Sequence, residues 1–171
     1  MGKIINVLGL GPSLELYHKD ENISIGVNDI WSRVQTDYVV CLDKKERFTP
    51  NRLKVIEDCR PVKFYSQVDD WSDRPDFHRI ELYPHFPNYE CKLSFPQLRK
   101  SLCSPFVACV IAFKFLQADE IHVYGVDLLN HPDLDLKSCE RIKTHFKNLK
   151  IALRMKKCEM IIHGDGILKK I

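Results

Sequence analysis

The chain has 171 residues, the length of about one domain, and a chain of this size can bury a full core without disulfides or metal. Apolar residues make up 44% and charged residues 29%, which excludes a disordered chain. Lys and Arg number 26 against 23 Asp and Glu, a net charge of only +3, so nucleic acid is not an expected partner. The late basic cluster of Lys147, Lys150, Arg154, Lys156 and Lys157 reads as a solvated helix end, where cations complement the helix dipole.

No apolar stretch approaches the roughly 18 residues of a membrane span. Met1-Gly2-Lys3 runs directly into Ile4-Ile5-Asn6-Val7, without the ordered segments of a signal peptide, so a cytoplasmic location is expected. Seven cysteines, an odd number with no Cys-x-x-Cys pair, read as reduced thiols in a reducing compartment, and no metal site is expected from them.

In chain order, Ile4 to Leu10 is an apolar run broken only by Asn6, as in a strand buried on both faces. Gly9-Leu10-Gly11-Pro12-Ser13 ends it and a short helix begins at Leu14. Ile23–Val27 is a second strand, stopped by Asn28-Asp29, and Tyr38–Leu42 a third, stopped by Asp43. Thr49-Pro50 opens a helix through Ile56, with Thr as cap and Pro in the first turn. Val62–Tyr65 is a fourth strand. From Asp69 to Leu102 prolines and aromatics break the pattern. An irregular insert or lid spanning 69–103, with one short strand near Ile80–Tyr83, is expected within a single domain of 1–171. Order returns with an apolar helix from Ser104-Pro105 through Leu116, a strand at Glu120–Val126, and a polar loop at Leu128–Ser138. A helix carrying Ile142, Phe146, Leu149 and Leu153 follows, then a strand at Met160–Ile162 before Gly164-Asp165-Gly166. Alternating strands and helices predict a doubly wound, mostly parallel Rossmann-like sheet, with ligands bound beyond the carboxyl ends of the strands.

That rule selects candidate residues. Gly9, Gly11, Pro12 and Ser13 form a turn able to approach a phosphate, although the third glycine of the dinucleotide fingerprint is replaced by Leu14 and no Walker lysine follows. The plainer reading is a strand-to-helix turn. Asn28 offers an amide to a base or ribose edge, or simply forms a turn. Asp43 could accept from a ribose hydroxyl or cap the next segment, and Asp127 could place a carboxylate in the crevice. Ser104 opens a helix that is anion-ready, or is an ordinary cap. His145, at the border of the apolar stripe, and His131, in the polar loop, are candidate proton acceptors. His78, His85, His122 and His163 read as surface or packing histidines.

Together, Gly11-Pro12-Ser13, Val27-Asn28, Ser104-Pro105 and Gly125-Val126-Asp127 after Glu120–Tyr124 resemble the bacterial lipooligosaccharide sialyltransferases. The same skeleton is similar to motility-accessory-factor and pterin pyrophosphokinase proteins, and short chains with this text look like phage or mobile-element products. The resemblance covers about two thirds of the chain as scattered motifs. It implies a metal-independent transferase using a CMP-activated sugar, with Gly11 and Ser13 near the phosphates, Asn28 on the nucleotide, Ser104 on sugar or phosphate, and a histidine base matched by His145 or, in reserve, His131. The nucleotide sugar is then a substrate and no cofactor is implied. Leu10 and Pro105 depart from the family's Asn and Gly, and its phosphate-binding tyrosines and membrane-associating tail have no counterpart. Two rivals stay open: a pyrophosphoryl transferase or nucleotide hydrolase using a divalent ion held by Asp43, Asp127 and Asp165, and a non-catalytic nucleotide-binding module. A homo-oligomer is left open.

Overall fold

The computed structural model describes residues 2–80, 82–83, 98–99, 103–128 and 134–171. In chain order the elements are β1 (Ile4–Leu8), β2 (Ile23–Val27), β3 (Tyr38–Val40), helix α1 (Pro50–Asp58), β4 (Lys63–Ser66), β5 (Phe77–Arg79), β6 (Leu82–Tyr83), β7 (Leu98–Arg99), helix α2 (Ser104–Lys114), β8 (Glu120–Tyr124), helix α3 (Leu136–Met155) and β9 (Glu159–Ile162). Short 3-10 turns lie at Pro12–Leu16, Ile30–Ser32, Lys45–Arg47, Asp69–Trp71 and Ile167–Lys170.

The main sheet runs β5-β4-β3-β2-β1-β8-β9 and is parallel throughout, the expected Rossmann-like architecture. β6 and β7 form a separate parallel pair. Successive side chains of a strand point to opposite faces, so a strand in this sheet feeds two apolar layers. On one face Ile5, Val7, Ile25, Val27, Ile121, Val123 and Met160 pack with α2 and with Ile142, Phe146, Leu149 and Leu153 of α3. On the other, Leu8, Val39, Cys41 and Phe64 pack with Leu14, Ile30, Ile56 and Trp71. α2 packs on β1, β2, β3 and β8 and α3 packs on β9 beside it, and because α2 touches both the sheet and α3 its sequence is apolar all round.

From β1 the strands step one way to β5, and the chain then returns through α2 to set β8 on β1's free side. The turns after β1 and β8 therefore leave the sheet at the point where strand order reverses, the usual place for a ligand crevice.

Two expectations shift. The fourth strand lies one residue later than the apolar run suggests, because Val62 is exposed and Ser66 is fully buried. Of the strand foreseen near Ile80–Tyr83, Leu82–Tyr83 is present as β6, and an unforeseen strand, β5, precedes it and joins the main sheet beside β4. β5 escaped notice because an edge strand needs little apolar alternation: His78 and Arg79 are exposed. The remainder of the 69–103 insert lies largely outside the described residues.

Candidate functional site

The carboxyl end of the sheet is built around a lock between the turns after β1 and β8. Gly9 N–H donates to the Tyr124 carbonyl and Gly11 N–H to the Gly125 carbonyl, both at 2.8 Å. Asp127 Oδ2 accepts from the Ser13 amide and from the Ser13 hydroxyl, each at 2.9 Å, and that hydroxyl in turn accepts from the Gly125 amide at 2.9 Å. Ser13 and Asp127 are 7% and 6% exposed, so these groups satisfy one another out of water. The turn after β9 closes the same knot. Gly164 has φ +101°, and a Cβ there would overlap Ser13. Ile167 N–H donates to the Asp127 carbonyl at 2.9 Å.

This revises the phosphate reading of the first turn. The amides of Gly11 and Ser13, expected to face a phosphate, are given to protein acceptors. Glycine stands at position 11 because a Cβ would run into the Gly125 carbonyl and the Asp127 carboxylate. The short helix that follows is a five-residue 3-10 helix, Pro12–Leu16, and not an α-helix.

Asn28 follows β2 in the left-handed region (φ 51°), with its amide donating to the Val40 carbonyl at 3.0 Å. Its side-chain Oδ1 is buried and has no hydrogen-bond partner among the described residues. Beside it, Asp29 is 8% exposed and takes two bonds from Arg52, at 2.7 and 3.0 Å. Arg33 Nη1 reaches the Leu10 carbonyl at 3.2 Å, tying the β2 exit to the β1 turn. Asp43 follows β3, and its carbonyl accepts from Trp71 Nε1 at 3.0 Å.

Ser104 is buried and is the first helical residue of α2. The cap is Cys103, whose carbonyl accepts from the Phe106 and Val107 amides at 3.1 and 3.3 Å. The sequence points to Ser104 as cap because serine is a common cap and cysteine is not. His145 lies midway along α3 with its ring centroid 6.0 Å from that of Phe106, in the first turn of α2. His131 lies outside the described residues. α2 leads into β8 and α3 into β9, so both helices begin at the same sheet end as Gly9–Ser13, Asn28, Asp43 and Asp127.

Among the described residues, no group of three or more His, Cys, Asp and Glu side chains is arranged to hold a metal ion, so Asp43, Asp127 and Asp165 do not form the cluster a divalent-ion mechanism needs. Asp127 is committed to Ser13, and Asp165 is an exposed partner of Lys169.

One constellation escaped the sequence reading. His122 and His163 do have convergent neighbours. His122 Nε2 contacts Glu120 Oε1, His163 Nε2 lies 3.0 Å from His122 Nδ1, and the Tyr124 and His163 rings stack at 4.1 Å. Burial, and then the neighbouring His122, hold the His163 imidazole below its ordinary range. The signal was the alternation Glu120-x-His122-x-Tyr124, which puts three polar groups on one face of a strand.

No family model and no curated protein matches the sequence. Among solved structures, the chain is similar to the X-ray structure of a point mutant of the alpha-2,3/8-sialyltransferase CstII, with TM-score 0.61 and 14% identity over 98% of this chain and 84% of that one. A protein from Lactobacillus plantarum aligns over 94% of this chain and 61% of its own at TM-score 0.48 and 16% identity. At this level of identity the first likeness is one of fold: the chain has a sialyltransferase-like α/β architecture.

Proposed function

We propose that this protein transfers a glycosyl group from a nucleotide-activated sugar bound at the carboxyl end of its sheet. The observation that carries this reading is the Asn28 side chain. A buried acceptor without a partner is uncommon in a folded protein and costs about 1–3 kcal/mol, so it suits a site completed by a ligand donor such as a base amino group or a ribose hydroxyl. The fold shared with a sialyltransferase supports sugar transfer in particular.

In this reading the lock between Ser13, Gly125 and Asp127 holds the crevice floor rigid. The first turn of α2, opening at Ser104, turns its positive dipole end toward the leaving phosphate. His145, on the α3 face that meets this turn, takes the proton of the acceptor hydroxyl, with His131 as the alternative base.

The test is a thermal-shift panel of CMP, UDP, GDP, ADP and their sugars, with and without magnesium. A ligand at 100 times its dissociation constant adds about 2.7 kcal/mol of stability. One nucleotide should stabilise the protein without magnesium, and its sugar conjugate should be turned over. His145→Ala should keep nucleotide affinity and lower kcat by about 10²–10⁴-fold. If kcat is unchanged there and falls in His131→Ala, the base is His131. Absence of stabilisation by every nucleotide defeats the proposal.

A further inference from the structure

The Glu120–His122–His163 line lies outside the machinery proposed for transfer, and it carries a separate inference. Ile121, Val123 and Met160 of β8 and β9 face the core beneath α2 and α3, so Glu120, His122, Tyr124 and Ile161 project from the opposite face. Val123 pairs with Ile162, which sets His163 one step further on, next to Tyr124 and diagonal to His122. The His122 and Glu120 side chains are 21% and 32% exposed, within reach of a solvated ion.

We propose that His122 Nδ1 and His163 Nε2 form a two-histidine chelate for a borderline divalent transition metal such as Zn²⁺ or Cu²⁺, with Glu120 as the carboxylate that orients it. The two nitrogens lie 3.0 Å apart. Nitrogen ligands about 2.0–2.1 Å from a tetrahedral zinc sit roughly 3.3 Å from each other, so the rings need to part by a few tenths of an ångström and to turn until both lone pairs meet at one point instead of facing each other. Glu120 accepts from His122 Nε2–H, which assigns the proton to that nitrogen and leaves Nδ1 bare toward His163. A carboxylate behind a ligating imidazole is the usual support of such a ligand. His163 donates its Nε2 proton to His122 in the metal-free pair. Moving that proton to the other ring nitrogen frees the second lone pair with no net proton release. The Tyr124 hydroxyl lies 3.5 Å from His122 Nδ1, and water fills the remaining positions. With two histidines the site is open and exchangeable rather than a closed structural centre.

An ion here would fasten edge strand β9 to β8 through side chains as well as backbone. The inference is independent of the transfer reading, since it involves neither the nucleotide nor His145.

The test is isothermal titration and thermal shift of the whole chain with ZnCl2, CuCl2 and MgCl2, alongside His122→Gln, His163→Gln, the double variant and Glu120→Gln. Zn²⁺ and Cu²⁺ should bind one per chain and raise the melting temperature with concentration, and Mg²⁺ should not. Each single histidine variant should lose at least about tenfold in affinity, and Glu120→Gln about 10–100-fold. Electron paramagnetic resonance of the Cu²⁺-loaded unaltered protein should show coupling to two imidazole nitrogens, a readout that does not depend on any variant folding. No binding of Zn²⁺ or Cu²⁺, binding unchanged in a folded double variant, or a copper spectrum without imidazole coupling overturns the proposal.

Discussion

Asp127 shows how much one carboxylate can organise. One of its oxygens receives two donors from Ser13, and the Ser13 hydroxyl passes the arrangement on to Gly125. Asp127→Ala strands the buried amide and hydroxyl, and should cost about 3 kcal/mol in urea unfolding. Asp127→Asn keeps one acceptor and should cost less. Gly164→Ala is expected to be worse than an ordinary glycine substitution, because the new methyl meets Ser13 at a left-handed backbone position. Asn28→Gly separates ligand binding from folding. Glycine adopts φ 51° readily and removes an unpaired buried acceptor, so stability in denaturant should hold or rise while nucleotide affinity falls. Ser13, Asn28 and Asp127 are legible as candidates by position, since each follows a strand. Position alone does not tell that two of them bond to each other. Ser13 and Asp127 each carry ligand-like chemistry in isolation, and only the register of β1 on β8 shows them to be partners.

At the scale of elements, apolar runs made the strands legible and helical spacing made α3 legible, because both patterns follow from burial alone. Polar fastenings between elements leave no such trace. Arg74 is the clearest case. Its guanidinium donates to the Ile56 and Cys59 carbonyls at the end of α1, each at 2.7 Å, and to both oxygens of Asp76 at 2.8 Å. It also lies over the Phe64 ring, 4.2 Å from the centroid. Asp76 in turn accepts from the Phe64 amide through its carbonyl, just before β5. One buried cation thus joins α1, β4 and the approach to β5. Arg74→Ala leaves Asp76 and two helix-end carbonyls without it, and should destabilise by about 3–5 kcal/mol in chemical denaturation. Nothing local marks Arg74, since its partners lie as far as 18 residues away.

Over the whole molecule, the expected doubly wound parallel sheet is present and its strand ends share one side, which is what a ligand-gripping architecture requires. Among the described residues no helix is long and apolar enough to cross a membrane. Six described cysteines are buried and none forms a disulfide. Burial pushes the thiols of Cys103 and Cys158 up to about 12 and about 11. A thiol raised from 9 to about 11 carries roughly a hundredth of the thiolate at a given pH. In native protein these six thiols should therefore react with a disulfide reagent at pH 8 far more slowly than in guanidinium.

The knot between Ser13 and Asp127 spans 114 positions of the chain, and this has a consequence for biosynthesis. At about 5–20 residues per second, the first turn is made roughly 6–23 s before its mate. During that interval β1 has β2 on one flank and bare backbone on the other, an opening that a foreign strand could fill. Nascent chains halted ahead of β8 should accordingly be captured by holdase chaperones, and full-length chains released from the ribosome should escape them.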